Sequence, residues 1–175
     1  MTSRAVTLAL QGGGAHGAFT WGVLDRLLED GRINIEAISG ASAGAMNAVV
    51  LAHGLQENGR DGARHALRHF WDSVAASAPL SFIQDDMAQM TDIARQSELP
   101  AALKHYISLL RFFSPSQLNP FDLNPLRDIL AAQIDFERLR SVAGMQLFIA
   151  TTHVGSGTLK LFRNKQLTLE VLLAS

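Results

Sequence analysis

The chain has no cysteine, so disulfides, thiolate metal sites and a cysteine nucleophile are excluded. It also has little net charge, because 15 Lys and Arg residues face 16 Asp and Glu residues and leave a formal charge of -1. A protein that binds the phosphate backbone of a nucleic acid normally shows a basic excess. The sequence therefore predicts no nucleic-acid partner.

Long hydrophobic runs are also absent, since no uninterrupted apolar run reaches the roughly 18 residues that span a bilayer. The N-terminal run from Ala5 to Leu10 is shorter than the apolar region of a signal peptide and leads directly into glycines. We therefore expect a soluble, cytoplasmic protein. Its 175 residues are 47% hydrophobic, with a mean hydropathy of +0.12, which is enough apolar material for a single folded domain over residues 1–175.

The first third of the chain alternates predicted strands with predicted helices. The apolar run Ala5 to Leu10, ended by glycines, is typical of a strand buried on both faces of a parallel sheet. Apolar residues at three- and four-residue steps predict a helix over Gly17 to Asp30. A second strand is predicted at Ile33 to Ile38 and a helix of small residues at Ala43 to Ala52. This order predicts an α/β fold with a mostly parallel sheet and right-handed crossovers.

The remainder is predicted to be helical before it ends in a hairpin. Apolar spacing predicts an amphipathic helix from Asp61, which would cap it, to Ser77, and a strongly apolar helix from Leu99 to Phe113. Asn124 and Pro125 fit the cap and the first position of a helix through Ala132. The last predicted elements are a hairpin of two strands, Met145 to Val154 and Thr158 to Arg163, and a helix beginning at Leu167.

A glycine-rich motif lies between the first predicted strand and the first predicted helix. It reads Gly12-Gly13-Gly14-Ala15-His16-Gly17. Glycines allow positive φ and close approach of a ligand to backbone N–H groups, and the following helix directs its positive end to the same point. The motif therefore predicts an anion-binding loop. By itself the spacing fits a dinucleotide pyrophosphate, an oxyanion or a turn without any ligand.

A second motif, Gly40-Ala41-Ser42-Ala43-Gly44, follows the second predicted strand. A G-x-S-x-G between a strand and a helix is typical of a nucleophile elbow, in which a strained turn exposes the serine hydroxyl. Gly40 and Gly44 would remove side chains where strand and helix would otherwise collide. The sequence thus predicts Ser42 as a nucleophile and the N–H of Ala43 as a donor to an oxyanion.

Two other interpretations of these motifs fit less well. A dinucleotide site needs an acidic residue at the tip of the second strand, about 20 residues after the glycines, and Glu36 lies within the strand instead. An α/β-hydrolase triad needs an aspartate and then a histidine after the serine. The candidates are Asp122, Asp128 or Asp135, followed by His153. In that fold several strands precede the nucleophile, whereas Ser42 follows the second predicted strand.

The two linked motifs, GGGAHG and GASAG, resemble the patatin-like phospholipase family. The resemblance runs from Ala5 to the last residue and includes LNPLRDIL at Leu123 to Leu130 and the terminal VLLAS. It implies a three-layer α/β/α fold with a mostly parallel central sheet. It also implies a Ser-Asp dyad that hydrolyses acyl esters of lipids without a metal or an organic cofactor. The expected partners are a lipid or other acyl-ester substrate and a membrane surface that is contacted transiently.

Site roles follow from the same resemblance. Ser42 matches the family's nucleophile, and Gly40 to Gly44 match its nucleophile elbow. The oxyanion hole matches backbone groups of the glycine loop and of the residue after the serine, namely Gly12, Gly13, Gly14, Ala15, Gly17 and Ala43.

Two departures from the family pattern stand out. The family usually carries Lys or Arg where this chain has His16, which replaces a permanent cation by a group that titrates near neutrality. The family's aspartate belongs to a later D-G-G or D-G-A element. Asp61-Gly62-Ala63 matches the D-G-A sequence. However, Asp61 comes only 19 positions after Ser42, and capping of the following helix accounts for it. We therefore expect an N-terminal portion of the domain that lacks half of the dyad and is nearly inactive alone.

Three further features allow more than one interpretation. His65 and His69 share a helix face, as metal ligands do, but neighbouring arginines favour a solvated basic face. The apolar segment from Leu99 to Phe113 fits a core helix or a flap that touches lipid. The alternative to an enzyme is a non-catalytic domain that binds a lipid or a partner. The sequence leaves the oligomeric state open.

Overall fold

The computed structural model describes residues 4–96, 124–141 and 144–175, and in the first of these ranges it describes side chains up to residue 77. The strands are β1 (Arg4–Leu10), β2 (Ile33–Ala41), β3 (Gln146–His153) and β4 (Thr158–Arg163). The helices are α1 (Gly17–Asp30), α2 (Ala43–Gln96), α3 (Pro125–Gln133), α4 (Phe136–Arg140) and α5 (Leu169–Leu173), with 3-10 turns at Gly14–His16 and Asn164–Gln166.

The four described strands form one sheet in the order β1-β2-β3-β4. The first three are mutually parallel, and β4 pairs antiparallel with β3. The predicted α/β class and mostly parallel sheet are therefore confirmed. β2 is longer than predicted, because it continues to Ala41, which pairs with Ala150 of β3. This extension carries the strand directly to Ser42.

One sequence prediction about the sheet is wrong. β1 is not buried on both faces, since Ala5, Thr7 and Ala9 are exposed and β1 has an edge position in the described sheet. An apolar run shows that a strand can be buried, but its place in the sheet is set by pairing with residues far away in sequence. β2 lies inside the described sheet and is more buried near its end, where Ile38 and Gly40 on one face are buried and the residues of the other face are partly buried.

The helices predicted at 43–52 and 61–77 are both helical, but they form the single element α2, interrupted at Asn58 (φ -151°) and Gly59 (φ 56°). The prediction that Asp61 caps the second helix is wrong. The interruption precedes Asp61, which lies exposed in the first turn after it. The two segments then pack closely, because a Cβ on Gly62 would lie 2.3 Å from the carbonyl oxygen of Gly54.

Two compact units divide the chain. One contains residues 1–73 with 127–175, and the other contains residues 74–126. The largest fully buried side chains of the first unit come from the helices α1 to α5, from β2 and β3, and from the segment before α5: Leu24, Ile38, Val49, Leu51, Leu67, Phe70, Leu130, Leu139, Leu147, Ile149, Leu167 and Leu172. Their spacing at helical and strand periods explains why these segments pack together.

The elements predicted for the C-terminal part are present where the structure describes it, but the last helix begins at Leu169 rather than at Leu167. The helix after Asn124 begins at Pro125, and the two strands form an antiparallel hairpin. Thr168 caps α5, accepting from the N–H of Val171. The predicted helix from Leu99 to Phe113 lies outside the described residues. No helix in the described part of the chain is both long enough and apolar enough to cross a bilayer.

Candidate active site

Ser42 occupies a sharp turn between β2 and α2. Its φ is 52°, its side chain is exposed, and it is the one residue besides glycine with a positive φ in the described part of the chain. Its carbonyl oxygen accepts from the N–H groups of Ala45 (2.8 Å) and Met46 (3.1 Å), so Ser42 is the residue that immediately precedes the first turn of α2. A left-handed conformation costs an L-residue about 1–2 kcal/mol, so the surrounding structure has to hold it.

Glycines on both sides of the serine allow the turn. A Cβ on Gly40 would lie 2.6 Å from the carbonyl oxygen of Gly44, which is too close for any side chain. A Cβ on Gly44 would lie 2.2 Å from the carbonyl oxygen of Leu10, the last residue of β1. The start of α2 therefore packs directly on the end of β1, which no larger residue at position 44 would permit.

This packing brings the glycine loop next to Ser42. A Cβ on Gly12 would lie 2.9 Å from Cβ of Ser42 and 3.7 Å from its Oγ. Gly13 (φ 155°) and Gly14 (φ 53°) then take conformations that favour glycine. The two motifs, about 25 residues apart in sequence, thus meet at the carboxyl edge of β1 and β2, where open α/β sheets build their sites.

Two helical segments begin beside the hydroxyl. The 3-10 turn Gly14–His16 leads into α1, and α2 starts at Ala43. The first N–H groups of a helix have no acceptor within the helix, and its N-terminus carries a partial positive charge. Ala43 directly follows Ser42 and is the first residue of α2, so its N–H is one of these groups. This is an environment suited to a developing negative charge.

His16 is exposed and contacts the loop rather than the serine. The carbonyl oxygen of Gly13 accepts from the backbone N–H of His16 at 3.0 Å and lies 3.1 Å from its Nδ1. Because a carbonyl only accepts, Nδ1 carries the proton in this contact. His16 therefore fixes the direction of the Gly13 carbonyl, a contact that the sequence analysis did not anticipate.

Next to the site, Asn47 forms a buried polar bridge that was not predicted from the sequence. Asn47 is fully buried, and its Nδ2 donates to the carbonyl oxygen of Gly17 at 3.0 Å. Its Oδ1 accepts from Nε1 of Trp71 at 2.9 Å. Asn47 thus joins the start of α1 to both segments of α2. A single amide in the otherwise apolar stretch from Ala43 to Ala52 was the available signal.

No described residue makes a hydrogen bond to the side chain of Ser42. Asp61 is far from it, because the contact between Gly54 and Gly62 places Asp61 about three helical turns along α2, roughly 18 Å from Ser42 at 1.5 Å per residue. In the triad alternative, Asp135 caps α4 through the N–H of Arg138, and Nδ1 of His153 lies 2.8 Å from Oγ of Ser156. Asp122 lies outside the described residues.

The other candidate ligands are also apart from Ser42. His65 and His69 are exposed while Leu67 is buried, as expected for a solvated basic face. Within residues 4–77, 124–141 and 144–175, no cluster of three or more metal-binding side chains occurs. Glu36 is exposed in the middle of β2 and five residues before its end, which does not suit a ribose-binding carboxylate.

Comparison with known families gives a match over most of the chain. The model of the family described as patatin-like phospholipase matches residues 8–172. The chain belongs to the patatin-like phospholipase family. Within this family its G-x-S-x-G and its glycine loop are both inside the matched range, and the resemblance seen in the sequence is confirmed.

The patatin-like chain is also similar to a solved structure, the heterodimeric ExoU–SpcU complex from the type III secretion system of Pseudomonas aeruginosa. The identity is 19% and the TM-score is 0.47. The match covers 98% of this chain and 36% of the other, so this chain spans about a third of its length. No curated protein matches the sequence.

Proposed function

We propose that this patatin-like chain is a serine acyl hydrolase of lipid esters, of phospholipase, lysophospholipase or esterase type, with Ser42 as its nucleophile. The observation that carries the proposal is the exposed hydroxyl of Ser42, at a positive φ, in contact with Gly12 of the glycine loop. Family membership supports lipid esters as the substrate class.

In the proposed reaction, Oγ of Ser42 attacks the ester carbonyl carbon while its proton passes to a base. The carbonyl oxygen becomes an oxyanion, for which the N–H groups of Gly13, Gly14 and Ala43 are the proposed donors. When the tetrahedral intermediate collapses, the alcohol leaves with a proton and the acyl group remains on Ser42. Water then attacks the acyl-enzyme, releases the fatty acid and restores the hydroxyl.

The family resemblance implies that the base is an aspartate, and we propose that it is none of the described aspartates. Support comes from the absence of any hydrogen bond from described residues to the Ser42 hydroxyl and from the distant position of Asp61. Losing the base typically costs several orders of magnitude in rate, although oxyanion donors retain some catalysis. The 175-residue chain is therefore expected to react slowly.

A fluorophosphonate probe tests the nucleophile directly. Incubation for hours, followed by intact-mass measurement and peptide mapping, should show slow labelling at Ser42 and none in Ser42→Ala. Ser156→Ala is the matched control, because Ser156 is an exposed serine already paired with a histidine. Label at Ser156 instead of Ser42 would contradict the assignment.

The alternative function is a domain that binds lipid without turning it over. It is distinguished by complete absence of label on Ser42 together with retained lipid binding. Ester turnover tests the dyad separately. Enzymes typically turn over at 1–10³ per second, and a rate in that range would refute the expectation that the 175-residue chain reacts slowly.

A further inference from the structure

The turn between β3 and β4 presents apolar side chains to solvent. Val154 is 96% exposed at its tip, and Leu159 is 72% exposed in the first residues of β4. Leu161, two residues further on the same face of the strand, is 46% exposed. Exposed apolar side chains that cluster mark an interaction surface more often than isolated ones do.

This turn has a defined internal structure. The carbonyl oxygen of His153 accepts from the N–H groups of Ser156 (3.2 Å) and Gly157 (2.8 Å). Oγ of Ser156 lies 2.8 Å from Nδ1 of His153 and 2.8 Å from Oγ1 of Thr158. These polar groups of the turn thus bond to one another. Val154 projects from a turn whose own hydrogen bonds do not depend on it.

The charge of the hairpin has one sign. From Gln146 to Gln166 there is no Asp or Glu, whereas Lys160, Arg163 and Lys165 are present. Lys160 follows Leu159 in β4 and lies on the opposite face of the strand, where its Nζ is 4.9 Å from the centre of the Phe162 ring. A lysine stem can lie along an apolar surface while its ammonium group reaches a phosphate. Apolar side chains next to a lysine fit the boundary between acyl chains and anionic headgroups.

The hairpin tip lies at the same edge of the sheet as Ser42. Ala41, the residue before Ser42, pairs with Ala150 in the parallel β2–β3 ladder. β3 then continues for three residues to His153. At about 3.3 Å per residue, the strand extends roughly 10 Å beyond the end of β2 before the turn begins. A flat surface that touches the tip would therefore face the Ser42 edge.

We propose that the β3–β4 tip, formed by Val154, Leu159 and Lys160, is a docking surface for an anionic lipid bilayer. This inference rests on the proposed function, because a hydrolase of lipid esters has to meet its substrate at such a surface. The occupant is a bilayer because the tip combines apolar side chains and a cation at the edge that carries Ser42. Val154 and Leu159 enter the acyl boundary, and Lys160 remains at the headgroup phosphates.

Vesicle flotation with the 175-residue chain tests the docking surface. We expect binding to vesicles that contain phosphatidylserine, little binding to pure phosphatidylcholine, and release by high salt. Val154→Asp should lower the partition coefficient about tenfold or more, and Lys160→Ser about fivefold. Gln146→Asp is the matched control, because it adds the same charge to the other end of β3 and should change binding less than twofold.

Insertion of the tip can be measured at a single site, because the chain has no cysteine. An environment-sensitive fluorophore on Val154→Cys should shift to the blue and gain intensity with phosphatidylserine vesicles. The same fluorophore on Gln146→Cys, an exposed position on the same strand, should not respond. Equal responses at both positions, or none at position 154, would overturn the proposal.

Two further measurements separate this inference from its rivals. Ser42→Ala should bind vesicles as the native chain does, so failure of serine labelling with retained, Val154-dependent binding would contradict the proposed hydrolase but leave the docking surface intact. Labelling of Ser42 without vesicle binding would contradict the docking surface and leave the proposed hydrolase intact. If analytical ultracentrifugation shows a dimer that Val154→Asp dissociates, and vesicles do not compete for it, the tip binds a second copy and the bilayer proposal is wrong.

Discussion

The backbone of Ser42 shows what a single residue contributes to this site. Its φ of 52° is unfavourable for an L-residue, and its side chain is exposed, so no packing of that side chain compensates for the cost. The conformation is imposed by close contacts of neighbouring glycines, among them Gly44 against Leu10. Strain of this kind concentrates at functional sites, because a relaxed alternative would not present the hydroxyl.

The first prediction concerns that strain. Ser42→Gly should be more stable than Ser42→Ala by about 0.5–1 kcal/mol, because glycine adopts a positive φ freely and its higher entropy in the unfolded state offsets part of the gain. Both variants lack the hydroxyl, so the difference between them isolates the backbone. Urea denaturation measures it, and equal free energies of unfolding would mean that Ser42 is not strained in solution.

The second prediction concerns the contact between the loop and the serine. Gly12→Ala should lower the free energy of unfolding by about 1–3 kcal/mol and slow the labelling of Ser42, because the new Cβ would lie 2.9 Å from Cβ of Ser42. Gly22→Ala is the control, because Gly22 is an exposed position of α1 where a Cβ would meet no atom within 4 Å. It should raise stability by up to about 1 kcal/mol. Similar effects of the two substitutions would refute the contact.

Secondary-structure elements are held in register by a few buried polar groups. Asn47 illustrates this, because a single amide joins the first turn of α1 to Trp71 in the second segment of α2. Hydrophobic contacts around it are non-directional and tolerate sliding. Hydrogen bonds with a fixed donor and acceptor specify one arrangement, and here that arrangement places Gly17 against Ala43 beside the nucleophile.

The third prediction tests this bridge. Asn47→Leu should lower the free energy of unfolding by about 1–3 kcal/mol, since it leaves the indole N–H of Trp71 buried without its acceptor and removes one hydrogen bond to the carbonyl of Gly17. Ser73→Ala, which removes a hydroxyl bonded to the carbonyl of His69, should cost less than about 0.5 kcal/mol. Thermal and urea unfolding provide the measurement. A loss of stability no greater than that of the control would show that the bridge is dispensable.

At the scale of the whole molecule, an ion pair couples stability to pH. Arg64 in α2 donates to both carboxylate oxygens of Asp25 in α1, at 2.9 and 3.2 Å. These hydrogen bonds, and then the positive charges of Arg64 and Arg68, hold the pKa of Asp25 below its usual range against the opposing effect of partial burial. The folded state thus favours the ionised carboxylate more than the unfolded state does.

The fourth prediction follows from the sign of that shift. The stabilisation by Asp25 is fully present above its unfolded pKa of about 3.9 and is lost as the pH falls through its lower folded pKa. Asp25→Asn should therefore be less stable than the native chain at pH 7, by no more than about 1 kcal/mol for a partly exposed pair, and the difference should shrink toward pH 3. Urea denaturation at the two pH values measures it. A difference that grows on acidification would contradict the argument.

The sequence by itself determined the local features of this protein. It located α1, the hairpin of β3 and β4, the start of α3 at Pro125 and the two glycine motifs, because apolar period, capping residues and glycine spacing act within a few residues. The match of the family model to residues 8–172 confirmed the family that these motifs resemble. The catalytic roles assigned to Ser42 and the glycine loop remain predictions.

Only the tertiary structure decided the rest. It put β1 at the edge of the described sheet, broke α2 at Asn58 and Gly59, and set Gly12 against Ser42. It also selected Asn47 as the bridge between helices. The strand order, the contact between Gly12 and Ser42 and the Asn47 bridge depend on residues that are distant in sequence. They are therefore set by which surfaces pack together, and not by the conformational preferences of the individual residues.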